Sequence, residues 1–492
     1  GILFVNLGSA VAASIDPATI ALIDLGGSGA RTFSYADVQQ RCDACARGLL
    51  RQGLRRGDRV AILAANRAEY LITFLGAMRA GLVAVPVNYR LPAETVSFII
   101  EDADVRLVLC DAPRAELLHR DVPRIVMDDA FESVLDGGDF TAVNAEPGEP
   151  ALFLYTSGST GRPKGVVLSH QSHLWVLDMR ATPTPPPGQR VLVAAPLYHM
   201  NALSVCQVAL NNGGTIVLLP SFTARSFIDA ASRCQVQALT GVPTMIAMML
   251  RERDAMAAAD FSAAQSLRIG SAPLSERLVG QIRQALPHVR ILHGYGTTEA
   301  GPVAFASQEQ RPLSVGTAHP AVDLRLIRDG AEVMDEGVLE MRCPALMNGY
   351  HKLPDITRKA LTPDGYYITG DVFRRDADGF FYFVGRADDM FVCGGENIYP
   401  GEVEKMLERH PAVHQVCVVP VPDEMKAHKP VAYIVPRAGA AVSEDEIRQF
   451  ALAHAPAYQH PRRVWFLDQL PLASTNKIDR RRLMQQAMME VG

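Results

Sequence analysis

Short apolar runs that alternate with helix-patterned segments constrain this chain more than any other feature. "RVAILAAN" (Arg59 to Asn66) reads as a buried strand, "RAEYLITFLGAMRAG" as a helix ending at Gly81, and "LVAVPVN" as a second strand. The alternation returns in "VLVAAP", "GTIVLLP", "VQALTGVP", "SLRIGSAP" and "VRILHGYG". Strands separated by helices pair in parallel, and such sheets are covered on both faces. From about Pro320 the pattern becomes short strands with tight turns, as in "DGYYITGDVFRRDADGFFYFVGR", which predicts an antiparallel, barrel-like part. After "RADD" (Arg386 to Asp389) the helix "YPGEVEKMLERHP", two strands and the helix "SEDEIRQFALAHA" predict a small α+β unit. A chain of 492 residues is too long for one core. The expected fold class is therefore α/β and multi-domain. A large N-terminal domain (1–387) would hold two parallel-rich sheets plus the barrel-like part (about 320–387), and a small C-terminal domain would take 388–492.

Charge and composition narrow the function. A formal net charge of −5 with interspersed signs lacks the basic footprint of a nucleic-acid binder. No stretch reaches the ~18 uncharged apolar residues of a membrane span. The apolar start "GILFVNLGSAVAAS" has no basic segment before it and reads as a buried first helix rather than a secretion signal. The eight cysteines are scattered, and "CDAC" (Cys42 to Cys45) falls on an amphipathic helix with no second pair nearby. Core thiols in a reducing cytoplasm follow.

The stretch "YTSGSTGRPKGVV" (Tyr155 to Val167) concentrates glycine, serine and threonine between apolar runs. It is not the nucleotide loop in which Ser or Thr follows the lysine to reach Mg²⁺, because Gly165 follows Lys164. Its physics is still that of an anion cradle: main-chain N–H groups, hydroxyls and one cation.

This stretch resembles the phosphate signature of the adenylate-forming family, which contains acyl-CoA synthetases, luciferases and peptide-synthetase adenylation domains. Further motifs of that family follow in its order: "PLYH" (Pro196 to His199), "GYGTTE" (Gly294 to Glu299), "YYITGD" (Tyr366 to Asp371), "GRADDMFVCGGENIYPGEVE" (Gly385 to Glu404) and "PLASTNKIDRR" (Pro471 to Arg481). The resemblance spans essentially the whole chain. It implies that a carboxylate is joined to ATP as an acyl-adenylate, with pyrophosphate released, and that the acyl group then passes to a thiol. ATP, Mg²⁺ and coenzyme A are the implied small molecules.

By the same resemblance, Thr156, Ser157, Gly158, Ser159, Thr160, Gly161 and Lys164 would hold the β- and γ-phosphates. Ser271, Ala272 and Pro273, with Gly294, Tyr295, Gly296 and Thr297, would line the nucleotide site, Tyr295 lying against adenine. Thr298 would touch the α-phosphate and Glu299 would ligate Mg²⁺. Asp371 would accept the ribose hydroxyls, having room for two donors, and Arg386 would assist. Lys477, far along the chain, would swing in to the α-phosphate during adenylation. Asp388 marks the hinge of a mobile C-terminal domain, which would then turn "VCGGENIYP" toward a thiol tunnel. His199 would stand between acyl pocket and tunnel. Relatives often carry glycine before the lysine, where this chain has Asn476.

The acyl pocket is expected around Met179, His199, Met200, Asn201, Val242, Ser271 and Gly296. "HMNALSVCQVAL" holds no carboxylate to pair with an ammonium, which disfavours an amino acid. The mostly apolar set, and no arginine standing out as an anchor, favour an aliphatic or aromatic monocarboxylate. No carrier domain follows, which favours coenzyme A as acceptor, with Arg90, Gly394, Gly395, Arg462 and Arg463 as its candidate partners. Two departures weaken that choice: His460 where relatives carry Lys or Arg, and "PDEMKAHKP" in place of a Trp-Gly-Glu-like pattern. The rivals are an enzyme that loads a carrier-protein thiol and an inactive nucleotide-binding regulator. The joint presence of Lys164, Glu299, Asp371 and Lys477 argues against the regulator. A homodimer is compatible with the family.

Overall fold

A computed structural model describes residues 5–156, 162–182, 186–270, 274–306, 309–473 and 476–491. Two seven-stranded sheets form the bulk of the N-terminal part. In the first, parallel strands Arg290–His293, Ser266–Ile269, Ala238–Gly241, Arg190–Val193, Thr215–Leu218 and Ile20–Asp24 stand side by side, closed by antiparallel Arg31–Ser34. In the second, parallel Pro150–Thr156, Val83–Pro86, Arg59–Leu63, Val105–Cys110 and Arg124–Val126 are joined by antiparallel Lys164–Ser169 and Gly349–Tyr350. Helix Ala68–Arg79 belongs to the core shared by the two sheets, and every residue of it is buried.

Strand period explains why these segments are apolar throughout. Val60 and Ile62 face the shared core, while Ala61 and Leu63 pack under helix Ala93–Asp102 on the outer side. In the first sheet Leu267 and Ile269 belong to the outer core, which turns Arg268 to the inner face. The one buried cation of the central helix, Arg79, is tied to Asp43 at 2.9 Å and to the Gly8 carbonyl at 2.7 Å.

The third seven-stranded sheet is antiparallel and begins at Phe305, earlier than the sequence suggested. It runs as an open path from Phe305–Ala306 to Ala331–Val333, so among the described residues the barrel-like expectation becomes an unclosed sheet. Its core includes Phe373 and Phe381, with Tyr295 packed against it. The C-terminal part is a five-stranded sheet built on the long hairpin of Val413–Asp423 and Ala427–Pro436. Helices Pro400–Leu407 and Glu444–His454 cover one face, and Arg480–Val491 covers the other. The architecture is a large N-terminal α/β domain with a small C-terminal α+β domain.

The expected first helix is only a 3-10 turn, Leu7–Ser9, although Leu7, Ala10 and Val11 are buried as expected. Cys42 and Cys45 sit on helix Tyr35–Arg51 as buried free thiols. No helix among the described residues is long and apolar enough to cross a membrane.

Because Phe74 is fully buried in the central helix, Phe74→Ala should cost about 3–5 kcal/mol. A urea titration should show a lower midpoint with little change in slope; an unmoved midpoint would contradict this account of the core.

Candidate active site

Strands Arg190–Val193, Ala238–Gly241, Ser266–Ile269 and Arg290–His293 all point their C-terminal ends to one edge of the first sheet. Residues following those ends are His199, Val242, Gly270 and Gly294, and in parallel sheets ligands bind at this edge. The second sheet contributes Thr156 and Lys164, which pair across the mouth of the loop 157–161. Ser157, Gly158, Ser159, Thr160 and Gly161 lie outside the described residues, as do Ser271, Ala272 and Pro273.

A chain of contacts links the base of that loop to the third sheet. The Lys164 ammonium lies 4.6 Å from the centre of the Tyr350 ring, a cation–π distance. The Tyr350 and Tyr367 hydroxyls both donate to Glu299 Oε2, each at 2.8 Å. Burial, reinforced by the Glu299 charge, raises both phenols, so they remain donors. Tyr367, Thr369 and Asp371 alternate along strand Tyr367–Arg375, and Thr369 Oγ1 accepts from the Asp371 main-chain N–H at 3.0 Å. The sequence reading did not pick out either tyrosine. Tyr367 was reachable through its two-residue spacing from Asp371, whereas Tyr350 reaches Glu299 only through the fold.

Asp371 is buried and fully engaged. Tyr295 donates its hydroxyl to Oδ2 at 2.5 Å, and Arg386 donates to Oδ1 at 2.8 Å. Burial raises the Asp371 carboxyl and the Arg386 charge opposes that rise. The Arg386 guanidinium lies over Gly370, where a Cβ would approach Nη2 to 2.8 Å, and φ is +73°. A side chain there would be strained by the left-handed backbone and would push the Arg386 guanidinium aside. Tyr295 packs edge-on against Phe373, with ring centres 4.9 Å apart. Thr297 caps its own turn by accepting from the Ala300 N–H at 2.9 Å, and Thr298 is half-buried beside it. Gly296 is pressed against Pro302, whose Cα lies 2.6 Å from where a Cβ would stand.

Lys477 enters this site from the C-terminal domain. The residue keeps solvent access, yet protein surrounds its ammonium: burial lowers its pKa, and Asp371 opposes the shift more than Arg386 adds to it. Asn476 has φ +64°, a left-handed conformation that asparagine tolerates, which accounts for a non-glycine residue there. Its carbonyl accepts from Thr244 Oγ1, and its side-chain oxygen accepts from Arg90 at 3.4 Å. Arg277 adds a second tie between the domains, donating to the carbonyls of Glu408 at 3.0 Å and Pro411 at 3.1 Å. Asp388 sits in the connecting turn, 3.4 Å from Arg386.

Of the residues expected around the acyl group, His199 precedes helix Met200–Asn211, Val242 precedes helix Pro243–Arg251, and Asn201 approaches Gly270, whose Cβ position would be 3.9 Å from its Nδ2. The His199 Nε2 is buried with no hydrogen-bond partner among the described residues. Burial, helped by the Lys477 charge, pushes its pKa down to about 4. Met179, by contrast, ends its helix 37% exposed, which does not suit a pocket wall. The next residue, Arg180, turns inward and donates to the Pro302 carbonyl at 2.8 Å. Arg268 reaches to 3.8 Å from the Gly294 Cβ position. Two guanidinium groups that sequence spacing did not reveal therefore stand near the Gly294 to Gly296 segment.

The coenzyme A candidates form two groups in this arrangement. Gly394 and Gly395 make the turn between strands Phe391–Cys393 and Glu396–Ile398, and Arg462 lies beside it, 3.6 Å from Cys393 Sγ. Arg463 is near Glu444, at 3.4 Å, and Arg90 is at the Asn476 contact instead. Among the described residues no cluster of three His, Cys, Asp or Glu could hold a metal by itself. Glu299, anchored through one oxygen, suits a Mg²⁺ that takes one carboxylate and completes its shell with phosphate oxygens and water.

This geometry is that of a large α/β domain whose parallel-strand ends face a small α+β domain docked on it through Asn476 and Arg277. The chain belongs to the AMP-binding enzyme family: that family's sequence profile matches residues 10–351, and that of the AMP-binding enzyme C-terminal domain matches residues 402–477. It is 33% identical to a feruloyl-CoA synthase of an Amycolatopsis species over 463 residues, covering 92% of this chain and 93% of the relative. It is 31% identical to a fatty acid–[acyl-carrier-protein] ligase of Streptomyces coeruleorubidus, covering 95% and 93%. Among solved structures, ATP-bound MatB from Rhodopseudomonas palustris superposes with a TM-score of 0.87 at 26% identity, covering 100% of both chains. The apo form of that protein superposes at 0.77.

With its pKa near 4, the His199 imidazole should be neutral above about pH 5. Nuclear magnetic resonance of isotope-labelled histidine should show no titration of His199 between about pH 5.5 and 8; a midpoint near the ordinary 6.5 would contradict its burial.

Proposed function

We propose that this protein is an ATP-dependent acid–CoA ligase. The observation that supports the reading is the docking of Asn476, the residue before Lys477, onto Thr244 and Arg90 of the N-terminal part, which brings Lys477 within the electrostatic influence of Asp371 and Arg386. A carboxylate oxygen attacks the α-phosphorus of ATP, the bond to the bridging oxygen breaks, and pyrophosphate leaves. Anion approaching anion requires preorganised positive charge. Lys164 at the loop mouth would hold the outer phosphates, and Lys477 would meet the charge that develops at the α-phosphate. The Mg²⁺ that Glu299 would hold supplies charge neutralisation along the phosphates. Asp371 would orient the ribose, sharing its oxygens with Tyr295 and Arg386. The neutral His199 would border the acyl carbonyl without adding a cation there.

For the second half-reaction we infer a turn of residues 388–492 about Asp388. Coenzyme A would then enter past Gly394 and Gly395, with Arg90, Arg462 and Arg463 near its phosphates. Its sulfur attacks the acyl carbonyl, the thiol proton goes to solvent and AMP leaves. The likeness to ATP-bound MatB, closer than to its apo form, supports the present arrangement as the adenylating one. A carrier-protein thiol is the second reading, favoured by the likeness to the acyl-carrier-protein ligase. A cytoplasmic place fits eight free thiols.

Lys477→Ala should lower acid-dependent pyrophosphate release by at least about 10²-fold. The same variant should still convert a supplied acyl-adenylate to a thioester, with coenzyme A preferred over a pantetheinylated carrier. Wild-type-like pyrophosphate release in the variant would remove the central role of this lysine. Thioester formation on the carrier alone would select the second reading.

A further inference from the structure

Arg180 and Arg268 are two cations near the Gly294 to Gly296 segment, and the adenylation chemistry gives neither a role. Both are half-buried, and no carboxylate among the described residues forms an ion pair with either. The undescribed segments within the chain, 157–161, 183–185, 271–273, 307–308 and 474–475, contain no Asp or Glu that could supply one. Arg180 has the Pro302 carbonyl, a neutral acceptor, and it feels the like charge of Arg268. A guanidinium does not escape by losing its proton, so two like charges persist in a partly desolvated place. Arg79, Arg386 and Arg480 are neutralised by Asp43, Asp371 and Glu404, whereas Arg124, Arg190 and Arg277 are held by main-chain carbonyls; Arg180 and Arg268 differ from this second group in having another cation as neighbour.

Their location gives the reason. Arg268 lies on the inner face of strand Ser266–Ile269, 3.8 Å from the Gly294 Cβ position. Gly270, next to Gly294, approaches the Asn201 amide, which belongs to the acyl-side group. Arg180 is fixed at Pro302, against which Gly296 packs. The pair thus borders the acyl side of the "GYG" segment, whereas Lys477, Arg386 and Asp371 gather at the nucleotide side. A reacting carboxylate is attracted by the second group; the first has no counterpart in ATP chemistry.

We propose that the acid activated here carries a second anionic group, a carboxylate or a sulfonate, remote from the reacting carboxylate, and that Arg268 and Arg180 bind it. This rests on the ligase reading and replaces the monocarboxylate expectation with a dianionic acid. The planar fork of a guanidinium matches both oxyanions with paired hydrogen bonds.

The test measures acid-dependent pyrophosphate release over length-matched sets of monocarboxylates, α,ω-dicarboxylates and ω-sulfocarboxylates. At least one dianionic acid should exceed its matched monocarboxylate in kcat/KM by at least about tenfold. Which set leads identifies the anion. Arg268→Met should reverse the preference, with KM for ATP within about twofold of wild type as the check that the nucleotide site is intact. If Arg268→Met does not fold, Arg180→Met and Arg268→Gln carry the same expectation. Equal or better use of monocarboxylates by the wild type overturns the inference and leaves the ligase reading standing. So does a dianion preference that the arginine variants leave unchanged. Failure to release pyrophosphate with any acid of the panel overturns both.

Discussion

The ligase reading of this protein depends on one juxtaposition across two domains: Lys477 brought under the electrostatic influence of the buried Asp371 and its half-buried partner Arg386. The cation reaches the cleft because the chain turns through a left-handed residue at Asn476, whose carbonyl is held by Thr244. The contact is electrostatically balanced. Burial disfavours both the Lys477 ammonium and the Asp371 carboxylate, and each offsets part of the other's cost. An attacking carboxylate and a triphosphate would bring further negative charge to the same place, so the closed arrangement is poised for substrate rather than satisfied without it. The ties across the interface, from Arg277 to main-chain carbonyls and from Arg90 to Asn476, are hydrogen bonds rather than a large apolar seal. A smaller domain held this way can separate and turn.

Rigidity belongs to the other partner. The doubly covered sheets and the wholly buried helix Ala68–Arg79 fix the strand ends from which His199, Val242, Gly270 and Gly294 follow. The third sheet fixes Asp371 and Tyr367 two residues apart from Thr369, and Tyr350 carries the connection to Lys164. The candidate residues thereby come from three sheets, two of which share a core while the third has its own. The N-terminal candidates for the site are on strands or first turns, and Lys477 is on the far side of the turn that holds Asp388.

Much of this was legible without coordinates. Apolar runs buried on both faces are nearly continuous in sequence, so the parallel strands from Arg59 to His293 could be read with small shifts at their ends. Motif order carried the family, and the fold brings the motif residues into one neighbourhood: Glu299 is bonded by Tyr367 on the strand of Asp371, and Lys477 acts electrostatically on both Asp371 and His199. What escaped has physical reasons. Closure of a β-barrel depends on edge pairing, which no local pattern encodes; here the edges at Phe305–Ala306 and Ala331–Val333 stay unpaired with each other. The opening apolar segment buries its side chains from a single turn rather than a helix. Tyr350 reaches Glu299 from a distant strand, and Arg180 and Arg268 become a pair only when a helix end meets a strand face. Arginine in sequence looks like surface charge until its neighbours are known. Met179 is 37% exposed at its helix end, while its neighbour Arg180 turns inward to the Pro302 carbonyl.

The most direct measurement is affinity labelling with an adenosine polyphosphate that ends in pyridoxal, reduced with borohydride and mapped by peptide mass spectrometry. The aldehyde modifies only amines that its phosphate tail can reach. The account predicts labelling of Lys477 as well as Lys164, suppressed by excess ATP. Labelling confined to lysines of the N-terminal domain, with Lys477 unmodified at saturating reagent, would contradict it.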